Sequence, residues 1–139
     1  MLEPLEGELL KFEATGGTAE KQRLANCSRA EHLVWHDARP GDRLTVHFHV
    51  PEAGRYSIEL NLAMSPNYGK QKLSVNGTPV QQVIDGYSPK LYWLHPKLSV
   101  FDLKEGDNTL EVEALVPNPE AKAGNLFGLD YIFLIKQAE

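Results

Sequence analysis

RLTVHFHV (residues 43–50), PEAG (51–54) and RYSIELNL (55–62) follow one another in the chain and decide its fold class. In the first and third stretches an apolar residue occupies every second position. Because successive side chains of a strand point to opposite faces, each of these stretches predicts a strand with one buried face. The short segment with Pro and Gly between them predicts a tight hairpin turn.

Shorter versions of the same pattern occur on both sides of this hairpin. They cover residues 9–15, 33–36, 70–75, 80–85, 98–103, 109–116 and 129–135. No segment shows the sustained period of a capped helix, although a short helical turn stays open for residues 19–26. The chain is therefore predicted to be all-β, as a two-sheet antiparallel β-sandwich of about eight to ten strands with jelly-roll topology.

The connectors between the predicted strands are of two kinds, which alternate along the chain. Tight turns are expected at 51–54, 76–77 and 105–108, and long loops at 65–69, 86–97 and 117–128. If successive strands run in opposite directions, all the long loops lie at one end of the sandwich. Binding residues concentrate on loops that a rigid scaffold holds, so this end is the expected binding site.

Composition sets limits on the class of protein. The chain has 139 residues, 42% of them hydrophobic, and we expect residues 1–139 to form a single domain with its own core. The net charge of −5 and the lack of a basic cluster argue against nucleic acid as a partner. No apolar run has the length of a membrane span, so no membrane partner is expected. The single cysteine, Cys27, cannot form an intramolecular disulfide.

Several short motifs resemble those of a known module. They are Glu6-Gly7-Glu8-Leu9-Leu10, Pro40-Gly41-Asp42, Ala53-Gly54-Arg55-Tyr56, Pro66-Asn67-Tyr68-Gly69, Ser74-Val75-Asn76-Gly77, Ile84-Asp85-Gly86-Tyr87 and Phe127-Gly128-Leu129-Asp130-Tyr131-Ile132. Their order resembles the C-terminal jelly-roll module of difructose-anhydride-type glycoside-processing enzymes. More distantly, it is similar to carbohydrate-binding modules of families six and thirty-five. The resemblance implies a non-catalytic carbohydrate-binding module, appended to a glycoside hydrolase or related enzyme and secreted or periplasmic.

The long loops hold the residues that we expect to bind a carbohydrate. Sugars pack their C–H faces on aromatic rings, and their hydroxyls need hydrogen-bond donors and acceptors. The candidate ligand-binding residues are Tyr68, Trp93, Tyr92, Asn125, Asn118 and Tyr87. Tyr68 and Trp93 are the expected stacking platforms, and Asn125 is the expected hydrogen-bonding partner. The alternative is that Tyr87 and Tyr92 only pack the end of the sandwich.

The resemblance also implies a structural calcium ion. In the resembled modules an opening Glu-Xaa-Glu and a closing Asp help to hold the ion, which here are Glu6, Glu8 and Asp130. Because Ca²⁺ takes about six to eight oxygen ligands, carbonyls and water would complete such a site. The alternative is an exposed pair of glutamates and an aspartate that caps a turn.

Two other functions stay open at this stage. A structural accessory module would dock on a catalytic domain in cis or mediate oligomer contacts, and its interface would also use loop aromatics. A cupin-like metal-dependent enzyme is favoured only by the spacing of His47 and His49. Glu52 follows His49 too closely for that motif, and His95 lacks the expected frame for its second half. No catalytic residue is assigned, because Cys27 has no recognisable base nearby in the sequence.

Overall fold

The computed structural model describes residues 5–6, 10–23 and 31–137. Strands are the only regular secondary structure in this part of the chain, so the predicted all-β class is confirmed. Within that part of the chain, there is no helix with the length and apolar character needed to cross a membrane. In chain order the strands are β1 (Leu5–Glu6), β2 (Lys11–Ala14), β3 (Thr18–Arg23), β4 (Glu31–His36), β5 (Arg43–Val50), β6 (Gly54–Met64), β7 (Lys70–Val75), β8 (Thr78–Asp85), β9 (Tyr92–Leu94), β10 (Lys97–Leu103), β11 (Gly106–Ala114) and β12 (Phe127–Lys136).

The strands form two antiparallel sheets that pack as a sandwich. The seven-stranded sheet has the order β10-β6-β12-β4-β3, with β1 also paired to β12 and β9 to β6. The five-stranded sheet has the order β2-β5-β11-β7-β8. The last strand, β12, lies between β6 and β4, so the neighbours in each sheet come from distant parts of the chain. The predicted jelly-roll sandwich is confirmed, although the described residues form twelve strands instead of the predicted eight to ten.

The core lies between the two sheets and is built from the apolar positions of the alternating stretches. These positions are all buried: Leu44, Val46, Phe48, Tyr56, Ile58, Leu60, Leu73, Val75, Leu110, Val112, Leu129 and Ile132. Leu129 and Ile132 share the core face because the register of β12 shifts between Leu129 and Tyr131. Trp35 joins them at 1% exposure, and its Nε1 donates to the Gly16 carbonyl at 2.8 Å. The two sheets therefore hold each other through side chains that the sequence pattern identifies.

Two strands of three or more residues lie where the sequence shows no clear strand pattern. Strand β3 occupies part of the segment 19–26, for which a helical turn stayed open, and it pairs along its length with β4. Most of its side chains are exposed, so no apolar period marks it. Strand β9 lies within the predicted loop 86–97, where it pairs with the end of β6. Both strands are ordered by pairing with a neighbouring strand.

The long loops lie at one end of the sandwich, as the alternation of connectors predicts. Backbone hydrogen bonds join them: Asp37 N donates to Gly124 O at 2.8 Å, Ser65 N to Gly86 O at 3.1 Å, Lys122 N to Pro66 O at 2.7 Å and Leu126 N to Asn67 O at 3.1 Å. These bonds link loops that are far apart in the sequence. The loop end is therefore a connected surface on top of the sandwich.

Asn76 joins two of the tight turns at the other end. Asn76 and Gly77 have φ angles of 48° and 84°, which are the positive values that a type I′ hairpin turn requires. The side chain of Asn76 donates to Asn108 Oδ1 at 2.9 Å and accepts from the backbone N–H of Thr109 at 2.9 Å. The turn at 76–77 is thus tied to the start of β11.

His47 links three strands on the outer face of the five-stranded sheet. Its Nδ1 lies 2.9 Å from an oxygen of Asp107 on β11, and its Nε2 lies 3.1 Å from an oxygen of Glu13 on β2. Hydrogen bonds to Asp107 first and Glu13 second raise the pKa of His47 above its ordinary value. His49 lies on the same face and is exposed, so the solvated face expected for both histidines is confirmed.

We predict that the protonation of His47 stabilises the fold. Because the folded pKa is raised, the stabilisation is complete below the unfolded value of about 6.5 and is lost as the pH rises through the folded value. Thermal unfolding at about pH 6 and about pH 8 measures this loss. His47→Gln should lose less stability over this rise than the parent, and His49→Gln should behave like the parent. Equal losses in the parent and His47→Gln would contradict the prediction.

Candidate functional site

The outer face of the seven-stranded sheet carries small residues near the loop end. Gly128 of β12 pairs with Ala63 of β6 on one side and with Val34 of β4 on the other. All three alternate with core residues, so they face away from the core. Because Gly128 has no side chain and Ala63 has only a methyl group, there is room above this part of the sheet for side chains from other segments.

Three rings occupy this room, those of His32, Tyr68 and Trp93, and we call them the outer ring cluster. A Cβ atom on Gly128 would lie 2.7 Å from His32 Cε1 and 2.9 Å from the Tyr68 hydroxyl. The rings of His32 and Trp93 meet edge to face, with centroids 6.1 Å apart and an interplanar angle of 77°. The cluster therefore forms a small packed layer outside the central core.

His32 is fully buried in this layer and is neutral. Its Nε2 lies 2.7 Å from Gln22 Oε1, and because an amide oxygen only accepts, Nε2 carries the proton and donates. Burial lowers the pKa of His32 to about 4. Its Nδ1 is buried and has no hydrogen-bond partner among the described residues. The ring thus packs under Trp93 as a polar but uncharged surface.

Trp93 is an expected sugar-binding residue that keeps part of its ring accessible. It lies on β9 opposite Ala63, and it is half-buried because one side of it covers His32. The adjacent Tyr92 is 59% exposed. Since neighbouring residues of a strand point to opposite sides, Tyr92 and Trp93 do not form one stacking surface.

Tyr68 was expected to be a stacking platform, and this expectation is wrong. Its side chain is only 4% exposed, and its hydroxyl reaches the bare position at Gly128. Tyr68 also forms a bridge with Leu126, and Gly69 N donates to Leu126 O at 2.9 Å. These contacts fold the loop 65–69 back against the sheet, so the ring of Tyr68 is used for packing.

The other polar candidates hold the loops together. Asn125 donates from Nδ2 to the Ala38 carbonyl at 2.7 Å. Asn118 donates from Nδ2 to an oxygen of Asp85 at 2.9 Å, and the second oxygen of Asp85 accepts from the backbone N–H of Tyr87 at 3.0 Å. The Tyr87 ring is half-buried. These residues shape the loop end, and each of the two asparagines uses one amide N–H bond within it.

A pocket on the same sheet face contains two aromatic rings that the sequence reasoning missed. Tyr131 and Phe133 of β12 pair with Asn61 and Glu59 of β6, which places them outside the core. With Glu59 and with His95, from the connection between β9 and β10, they line a shallow pocket of about 260 Å³. The signal in the sequence is that the last strand is apolar on both faces, so one of its two sets of apolar residues must lie outside the core.

Carboxylates surround one side of this pocket. Burial first, and then the negative charges of Asp130, Glu59 and Glu6, raise the pKa of Tyr131 above its ordinary value. The phenol therefore stays protonated over a wider pH range and keeps its hydrogen-bond donor. A ligand with acceptor oxygens, such as a hydroxyl group, suits this donor and the neighbouring carboxylate of Glu59.

Glu6, Asn61 and Asp130 are buried polar residues beside the pocket. Glu6 and Asn61 pair with Tyr131 from opposite sides, and β12 has an irregular register at Asp130. Asn61 Nδ2 donates to Asp130 Oδ2 at 2.8 Å. Glu6 Oε1 and Asn61 Oδ1 are buried and accept no hydrogen bond from the described residues.

The expected metal ligands are only partly covered by the structure. Glu6 pairs with Tyr131, the residue that follows Asp130, whereas Glu8 lies outside the described residues. Among residues 5–6, 10–23 and 31–137, no three His, Cys, Asp or Glu side chains form a group that could hold a metal ion. Asn61, which donates a hydrogen bond to Asp130, was not among the expected ligands.

Solved structures of carbohydrate-active proteins share this fold. A segment of the Paenibacillus xanthan lyase matches 96% of the chain with a TM-score of 0.85 and 21% identity. Family 35 carbohydrate-binding modules from an environmental isolate and from Clostridium thermocellum match with TM-scores of 0.66 and 0.61, at 14% and 16% identity. No protein-family model matches the sequence, and no curated protein sequence is similar enough to match it.

The extent of these matches differs between the two kinds of structure. The chain spans 13% of the xanthan lyase chain and 18% of a Paenibacillus cycloisomaltooligosaccharide glucanotransferase. It spans 93% and 98% of the two family 35 modules. These two alignments cover 96% and 97% of the present chain. The fold is thus found both as an isolated module and as a small part of a large enzyme.

We predict that His32 destabilises the protein in acid. The unfolded chain binds a proton at this residue near pH 6.5 and the folded chain only at about 4, so stability falls as the pH falls between these values. The difference between these two pKa values corresponds to roughly 3 kcal/mol in the free energy of unfolding. Urea unfolding at about pH 7 and about pH 4.5 should show a smaller loss for His32→Gln than for the parent or for the exposed control His95→Gln. Equal losses in all three proteins would rule out this role of His32.

Proposed function

We propose that this chain is a non-catalytic carbohydrate-binding module. We place its sugar site on the outer face of the seven-stranded sheet. The observation that carries the proposal is that Trp93, Tyr131 and Phe133 share this face and remain partly exposed. Glu59 and His95 stand beside the last two rings and supply hydrogen-bonding groups. Rings next to a carboxylate and an imidazole match the alternating C–H faces and hydroxyls of a sugar.

The shape of the site indicates a modest affinity. The pocket at Tyr131 is shallow and open, so a bound sugar would keep much of its surface in water. Each hydroxyl that gains a protein contact also loses a hydrogen bond to water. We therefore expect dissociation constants in the range of roughly micromolar to millimolar, or about −4 to −8 kcal/mol.

The similar structures support a role within a larger enzyme. The chain aligns with 13% of the xanthan lyase and with 18% of the glucanotransferase, so in both enzymes the similar domain is a small part of a longer chain. We propose that residues 1–139 act as one module beside a catalytic domain in cis, in a secreted or periplasmic glycoside-processing enzyme. The specific likeness to the difructose-anhydride type stays a prediction from the sequence motifs.

We predict that Trp93→Ala weakens sugar binding at least tenfold, which is about 1.4 kcal/mol. Calorimetric titration with a panel of neutral and acidic oligosaccharides measures the affinity. Tyr92→Ala is the matched control, because Tyr92 is an exposed ring on the opposite side of the same strand. Its affinity should stay close to that of the parent.

Thermal melts of the same variants are needed to interpret this result. Trp93→Ala uncovers the buried His32, so it should lower the melting temperature, whereas Tyr92→Ala should leave it within the small range of surface substitutions. Titrations are therefore made at a temperature at which every variant is folded. Unchanged sugar affinity in folded Trp93→Ala would show that the site lies elsewhere.

We also propose that Glu6, Asn61 and Asp130 help to hold a structural Ca²⁺ ion, with Glu8 as a further expected ligand. The donor atoms are carboxylate and amide oxygens, which Ca²⁺ prefers. Glu6 and Asp130 are both buried, and a bound cation would offset part of the cost of burying negative charge there. When bound, the ion would neutralise this charge and tie β1 to β12 and β6.

Calcium should raise the melting temperature of the protein relative to chelator. Binding to the folded state alone stabilises it by about 2.7 kcal/mol when the free ion is at 100 times its dissociation constant. Asp130→Asn should abolish this response, and the exposed control Asp102→Asn should keep it. A second readout is the ultraviolet titration of tyrosine, since Ca²⁺ should lower the raised pKa of Tyr131. Identical melting curves in chelator and in Ca²⁺ would contradict the site.

A structural accessory module is the second candidate function. Leu91, Tyr92 and Val116 are 42%, 59% and 71% exposed. The first two lie within the segment 86–97, and Val116 directly precedes the loop 117–128. Apolar side chains of this kind suit a docking surface for a catalytic domain or an oligomer contact. If no sugar binds, and Val116→Asp dissociates a complex of the full-length protein, this candidate replaces the first.

A further inference from the structure

A cleft runs along the open side of the sandwich, between the edge strands of the two sheets. Among the described strands, β8 pairs with β7 alone and β10 with β6 alone. The space between β8 and β10 has a volume of about 670 Å³ and is lined by residues 75–76, 78–82 and 97–102. This volume lies within the usual range of ligand pockets, roughly 300 to 1,000 Å³.

The cleft combines an apolar floor with polar walls. Val80 and Leu98 are buried at 5% and 4% exposure, and the partly buried Phe101 packs against the core. The walls carry exposed amides and hydroxyls, those of Thr78, Gln81, Gln82 and Ser99. Gln82 Nε2 donates to the Lys97 carbonyl at 3.3 Å, so one wall touches the other at that point.

The charges of the cleft are matched by groups on the neighbouring strand. Lys97 and Asp102 are the charged residues among the described residues that line it. Lys97 Nζ lies 3.7 Å from Glu59 Oε1, and Asp102 Oδ1 lies 3.9 Å from Arg55 Nε. Because each charge faces an opposite charge on β6, the cleft favours a ligand without net charge.

The edges of the cleft are poor templates for an added peptide strand. Pro79 on β8 has no backbone N–H to offer. The pairing of β8 with β7 shifts register between Lys72 and Ser74, and that of β10 with β6 shifts between Lys97 and Val100. Such irregular edges hinder continuous pairing with another strand, so recognition in the cleft falls to the side chains.

We propose that this cleft is a second glycan site, which binds an uncharged linear oligosaccharide along its length. Hydroxyls of the sugar would meet the amides and hydroxyls of the walls, and C–H groups would meet the floor at Phe101. The stretch from Thr78 to Gln82 is roughly 13 Å long, which suits several sugar units of a chain better than a single sugar. The inference rests on the proposed sugar-binding function and adds a site separate from Trp93.

Amide chemical-shift mapping of the full chain tests this inference. The probes are maltohexaose, isomaltohexaose, cellohexaose, laminarihexaose, xylohexaose and mannohexaose, each with its disaccharide, and an uncharged strand-forming heptapeptide. At least one hexasaccharide should shift the amides of Gln81, Gln82 and Ser99 in a saturable way, at least fivefold more tightly than its disaccharide. The double variant Gln81→Ala with Ser99→Ala should lose at least fivefold in this affinity, and Gln137→Ala, outside the cleft, should lose none.

The outcomes separate the two sugar proposals. Shifts confined to Trp93, Tyr131 and their neighbours would overturn the cleft site and leave the sheet-face site standing. Shifts in the cleft that persist in Trp93→Ala would support the cleft as an independent site. Shifts of β8 and β10 by the heptapeptide alone would overturn the glycan assignment in favour of a peptide. No shift by any probe would overturn the cleft site, and the sheet-face site would then be decided by the calorimetric titration with acidic oligosaccharides.

Discussion

The missing side chain at Gly128 is the constraint on which the outer face of the seven-stranded sheet depends. A Cβ atom there would lie 2.7 Å from the ring of His32 and 2.9 Å from the hydroxyl of Tyr68. Because the position is bare, rings from β4, from the loop 65–69 and from β9 meet above the sheet. This meeting buries Tyr68, fixes the loop against β12 and leaves one side of Trp93 facing outward. Packing at one glycine therefore determines which aromatic residues are available to a ligand.

Much of the fold follows from local patterns in the sequence. The alternation over 43–62 identifies two strands and their buried faces, and Asn76-Gly77 identifies a hairpin by the positive φ angles that it requires. The order of tight and long connectors places the loops at one end without any knowledge of the sheets. Strand β3 has no such signal, because its exposed residues are ordered by pairing with β4. Pairing between distant segments is information that a local pattern does not contain.

The site was less predictable than the fold, for two physical reasons. Residue type and loop position pointed equally to Tyr68 and Trp93, but only the tertiary packing shows that the loop of Tyr68 folds back onto the sheet. Tyr131 and Phe133 were missed because the last strand is apolar on both faces, so its period does not tell which face is the core. The pairing of β12 with β6 decides which face of the last strand is the core. The same pairing brings Asn61 beside Asp130 from far away in the sequence.

The two tryptophans provide the most direct test of the central claim, that the outer face of the seven-stranded sheet binds sugar. Trp35 is buried in the core with its indole N–H bound to the Gly16 carbonyl, whereas Trp93 is partly exposed on the outer face. The two indole N–H signals can be followed in one magnetic resonance titration with oligosaccharides. The account predicts that a bound sugar moves the Trp93 signal in a saturable way and leaves the Trp35 signal in place. A Trp93 signal that no sugar moves, or equal movement of both signals, would contradict it.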